Sequence, residues 1–198
     1  MKNRIVLALA ILLLVIPVGC GKKKENLTDA QKFAKEYTNV SEDNVFVYST
    51  VDEIIDILES GTGIIYLGSK DNIWSQAYVK YLNEVAKEVG IEKVYYLDII
   101  EVQKNNTDKY LKIVESVKDY LQYDDNGERV ISVPTVIGMN KGFVVGFNDE
   151  TAWNTKGYSK PEEYWKEEEI SKLKNRLSEM ANATKFCIDC NEVNNPEI

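Results

Sequence analysis

Histidine is absent from the 198 residues. That removes imidazole acid/base chemistry, Ser-His triads and His-ligated metals. Cysteine is scarce, at Cys20, Cys187 and Cys190. Basic residues are in the minority, 24 Lys+Arg against 32 Asp+Glu for a formal charge of -8, so a nucleic-acid partner is not expected: a phosphate-binding face needs clustered Lys and Arg. No internal repeat, low-complexity tract or phosphate-binding loop is present, and after the first twenty residues no long apolar run occurs. What is there is ordinary: 44% apolar and 28% charged residues suit one globular domain with appendages, and exclude disordered, collagen-like and multi-spanning membrane chains.

The N-terminus reads as an export signal. Lys2 and Arg4 precede an apolar run from Ile5 to Gly19, which ends at Cys20 and is followed by Lys22, Lys23 and Lys24. Such a run is short of the roughly 20 residues that span a bilayer as a helix. Pro17-Val18-Gly19-Cys20 resembles a bacterial lipobox, although lipoboxes usually carry Leu where Pro17 stands. The resemblance implies cleavage before Cys20, lipid on its sulfur, and a protein tethered to the extracytoplasmic side of the cell membrane. An uncleaved anchor or plain secretion are the alternatives. Loss of residues 1–19 leaves 22 positive against 32 negative residues, a formal -10. Residues 20–43 read as anchor, spacer and one short helix, the helix opened by a capping box at Thr28 and Gln31.

From Asn44 strands and helices alternate. Val45–Tyr48 reads as a strand, and Thr50 with Glu53 caps a helix that carries Val51, Ile54, Ile55 and Leu58 on one face. Gly63–Leu67 is apolar throughout, the mark of a buried central strand. A helix with Trp74, Tyr78, Leu82, Val85, Ala86 and Val89 stops at Gly90, before a strand over Val94–Leu97. Another helix carries Tyr110, Ile113, Val114, Val117 and Leu121. Beyond a turn at Asp124–Gly127, Val130–Ile137 and Phe143–Phe147 are joined through Asn140-Lys141-Gly142 as a hairpin. A last helix opens near Pro161, with glutamates first and Lys172, Lys174 and Arg176 later; its core face is Trp165, Ile170, Leu173, Leu177 and Met180. The fold class is α/β, with a mixed sheet.

The run Ile64–Gln76, the helix ending Leu82–Lys87, the strand Val94–Asp98 and the step Val133-Pro134-Thr135 together resemble the thioredoxin family, over residues 44–182. They look especially like thioredoxin-like lipoproteins and the bacteriocin-transport accessory group. The resemblance implies a three-layer sandwich, a mixed central sheet flanked by helices, and a cis-proline at Pro134. It also implies a Cys-x-x-Cys turn at a helix start. Here the matching positions are Asn72 and Ser75, and neither an amide nor an unactivated hydroxyl attacks a disulfide. The acid that assists some members is Tyr66 here. Dithiol exchange is therefore not expected at this site, and no cofactor or metal is called for.

Two readings of the site stand side by side. In the first, Asn72 is an N-cap, Ser75 fills the first helical turn and Trp74 simply packs. In the second, Trp74, Val133 and Pro134 form a shallow groove that receives an extended polypeptide or an envelope partner, because in the family the residue before the cis-proline offers backbone hydrogen bonds. Residues 183–198 form a tail with Cys187-Ile188-Asp189-Cys190. Two thiols are too few for structural zinc. They read either as a local disulfide or as a relocated redox pair, the basis for an alternative thiol-disulfide oxidoreductase, although Asp189 and Glu192 would hold a thiol pKa up.

Overall fold

A computed structural model describes residues 26–105, 108–153 and 157–186. Its elements in chain order are α1 (Asp29–Glu36), β1 (Phe46–Tyr48), α2 (Val51–Ser60), β2 (Gly63–Gly68), α3 (Ile73–Val89), β3 (Val94–Asp98), α4 (Ile99–Lys104) and α5 (Asp108–Val117). They continue with β4 (Thr135–Asn140), β5 (Phe143–Asn148), α6 (Glu150–Trp153), α7 (Pro161–Tyr164) and α8 (Glu167–Thr184). The sheet order is β1-β3-β2-β4-β5, with β1, β3 and β2 parallel and β4 and β5 antiparallel. Helices cover both faces, as in a thioredoxin-like sandwich.

Local chemistry sets the boundaries. Thr28 and Thr50 each close a full capping box, with Gln31 and Glu53 returning the bond to the cap N–H. Two otherwise orphaned donors are thereby satisfied at each helix start. Helix α3 stops at Gly90 in the left-handed region, φ 77, which glycine adopts without a Cβ penalty. The β4–β5 hairpin turns at Lys141 (φ 50) and Gly142 (φ 80), two positive angles in succession as a type I′ turn requires. A Cβ at Gly142 would lie 2.5 Å from the Glu59 carbonyl oxygen, so the turn also lies hard against the end of α2.

Strand alternation sorts the core into two layers. Ile64, Tyr66, Val94, Tyr96 and Val136 face α1, α3 and α8; Ile65, Leu67, Leu97, Ile137 and Met139 face α2 and α5. Glycines let α8 close onto the hairpin: Gly138 pairs with Gly146, and a Cβ on either would come within 2.5 or 2.6 Å of Met180 Cγ. At the other edge α1 belongs to the core. Phe33 stacks on Phe46 at 4.0 Å, while the side chains of Asn44 and Asp29 accept from the N–H groups of Phe46 and Tyr48.

Three features differ from the sequence reading. Strand β4 starts at Thr135 rather than Val130, because Pro134 cannot donate to a ladder. The final helix is two: Trp165 leaves helical geometry (ψ 79) and Lys166 is an extended cap. The short helices α4 and α6 follow strands where no separate element is expected. Among the described residues no helix is long and apolar enough to cross a membrane.

Candidate functional site

The parallel strands β1, β2 and β3 all end at one side of the sheet, where β4 begins and α3 starts. Leu67 pairs with Thr135 and Gly68 with Asp98, so the loop Ser69–Asn72, Asp98 and Val133-Pro134 share that end. The Val133-Pro134 bond is cis, as the resemblance implies.

The two positions where the resemblance places thiols are taken up by helix-start hydrogen bonds. Asn72 Oδ1 accepts from the Ser75 N–H at 2.8 Å, and the Ser75 hydroxyl accepts from the Ser69 N–H at 3.3 Å. Ser75 is fully buried at 0% exposure, and its carbonyl takes the Tyr66 hydroxyl at 3.2 Å. Tyr66 is itself fully buried, which pushes its phenol well above the ordinary range through desolvation, so it stays neutral. The pair braces a helix start and offers no nucleophile.

Gln76 extends the brace, a role that its place in the sequence motif does not reveal. Its amide donates to the carbonyls of Lys70 and Glu36, both at 2.7 Å. Helix α1 is thereby stitched to the loop that carries the site. Asp98 is the other residue that sequence reasoning left without a role. The Ser69 hydroxyl reaches its Oδ2 at 3.4 Å, whereas Oδ1 is buried with no partner among the described residues. Burial pushes this carboxyl above the usual aspartate range, opposed by the nearby amides of Glu101 and Ile100 and by Ser69.

Trp74, Val133 and Pro134 do not gather on one face. Trp74 packs into the layer of α3 and α8 and meets Tyr164 edge-on at 5.9 Å, in an aromatic group that continues to Tyr158 and Trp165. Val133 packs into the opposite layer with α2 and α5. Pro134 is buried at the sheet end. The Tyr164 hydroxyl donates to Glu150 at 2.6 Å, and Glu150 also pairs with Arg176. What Val133 brings is its backbone: it lies just past the β4 ladder, and no hydrogen bond among the described residues uses its N–H or carbonyl.

Cys20, Cys187 and Cys190 lie outside the described residues, as do the signal segment and most of the tail. Among the described residues no group of three or more His, Cys, Asp or Glu is arranged to hold a metal. Compared with family models, curated proteins and solved structures, the chain matches none.

Proposed function

We propose that this is a lipid-anchored, extracytoplasmic bacterial protein of the thioredoxin family whose dithiol site is degenerate, and which binds a polypeptide segment or an envelope partner without exchanging disulfides there. The observation that carries the binding is the unused Val133 backbone at the end of β4, where an extended chain could add its own hydrogen bonds. The inert half of the reading is supported by Asn72 and Ser75, whose polar atoms are consumed in holding the start of α3.

The test uses the full chain in detergent micelles with reduced, alkylated insulin B chain, an extended polypeptide without free sulfur. Amide exchange at Val133 should slow on saturation, and the protein should show no turnover in an insulin-reduction assay. An unchanged Val133 exchange rate would remove the binding proposal. Reductase activity that disappears in Cys187→Ser would establish the C-terminal pair as the working site instead.

A further inference from the structure

The loop that joins β2 to α3 is a four-residue turn, Ser69–Asn72, closed by the Asn72 N–H on the Ser69 carbonyl at 3.1 Å. Its central unit is the Lys70–Asp71 peptide, and both residues are exposed. Turns of this kind take two common forms that differ by a flip of that central plane, and the flipped form needs a positive φ at the third residue. Among the described non-glycine residues only Lys141 has a positive φ, so Asp71 keeps the unflipped form. Gln76 holds it there. Its side-chain amide donates to the Lys70 carbonyl and to the Glu36 carbonyl at the end of α1, each at 2.7 Å, which uses both hydrogens. Its Oε1 accepts from the Thr38 N–H at 3.3 Å.

A trans peptide is planar, with its N–H opposite its carbonyl. The only cis bond among the described residues is Val133-Pro134, so the Lys70 carbonyl, held toward α1, turns the Asp71 N–H the other way. That way lies β4: strand β1, on which α1 packs, and strand β4 stand on opposite sides of β2 in the sheet. No hydrogen bond among the described residues uses the Asp71 N–H. It lies outside α3, whose first turn is closed by the Asn72 side chain. We propose that Gln76 is the positioning residue of the polypeptide site, setting the Lys70–Asp71 plane so that the Asp71 N–H donates to a carbonyl of the bound chain. This rests on the reading that an extended chain bonds to the Val133 backbone, and makes the grip two-sided. Lys70 and Asp71 cancel in formal charge, so the donor is offered to a neutral amide carbonyl rather than to an anion. Both contacts are made to main chain, which supplies affinity without choosing side chains.

The test follows amide exchange residue by residue in the full chain in detergent micelles, with reduced, alkylated insulin B chain as the probe. In the wild type, saturation should slow exchange at Asp71 together with Val133. Gln76→Glu keeps the side-chain length and the acceptor for Thr38 but removes both donations, and sets a carboxylate against two carbonyl oxygens. It should weaken the binding midpoint about fivefold, the worth of one net hydrogen bond. At saturation its Val133 amide should still slow while its Asp71 amide no longer does, a split that mere loss of stability does not produce. Gln76→Ala is the second variant should Gln76→Glu not fold, with the same split expected. Slowing at Val133 alone in the wild type overturns the role of Gln76 and leaves the Val133 reading standing; slowing at neither overturns both. Asp71 protection that survives in a folded Gln76 variant, or a midpoint left unchanged there, also overturns the assignment.

Discussion

Asp98 carries the least comfortable group of the site, a carboxylate with one buried oxygen that has no partner among the described residues. Its folded pKa is raised above the ordinary 3.8 mainly by burial, so the folded state holds the proton more tightly than the unfolded chain. Below about 3.8 there is no penalty; as pH climbs from there through the folded value the penalty grows, and above it the penalty is complete. Asp98→Asn should therefore raise the thermal midpoint at pH 7 and lose that advantage near pH 3, read by circular dichroism melts at both values. A gain that persists unchanged at pH 3 would put the effect on packing instead. The residue scale also shows what a sequence conceals. Asn72 was legible as a cap because capping is local, settled within three residues. Trp74 was not: its edge partner Tyr164 lies ninety positions away, so only the fold could show that its ring is already engaged. Val133 and Trp74 fall in different layers for the same reason, since which face of a sheet a loop residue meets is decided by tertiary packing.

Elements were the most readable scale. Both capping boxes, the left-handed stop at Gly90 and the two-residue hairpin turn depend on neighbouring residues alone, and each stands where its motif stands. Thr50→Ala removes the oxygen that accepts the Glu53 N–H and should cost about 1 kcal/mol. The midpoint should then fall by roughly 2–4 °C, measurable by calorimetry, while Thr50→Ser should keep most of it. A drop as large in Thr50→Ser would show that the methyl, not the cap, matters. Less was legible where apolar patterning continued across a break. Val130–Val133 has strand-like composition, and Ile131 is indeed buried, but the ladder waits until after Pro134. The sequence reading ran one helix through Trp165, yet Trp165 and Ile170, five residues apart, would lie about 140° round a continuous helix; both meet the core because the bend turns Trp165 toward Tyr81 and Tyr78.

At the scale of the whole molecule, the chain order of strands and helices was legible from their alternating patterns and the sandwich from the family resemblance, whereas the proposed anchoring rests on segments of another kind. Cys20→Ser tests the anchoring proposal directly: the wild type expressed in bacteria should incorporate labelled palmitate and sediment with membranes, and the variant should do neither. Palmitate labelling that survives the substitution would dismiss Cys20 as the lipid site.

The incorporation of α1 into the core bears on the same point. Phe33 is stacked inside the domain, so under the proposed lipidation of Cys20 the eight residues to Thr28 would set an upper limit of about 28 Å on the tether. That is about three quarters of the diameter of a domain this size. A chain anchored in that way would be held at arm's length from the bilayer and no further, and a partner of the proposed kind would have to come down to the membrane surface.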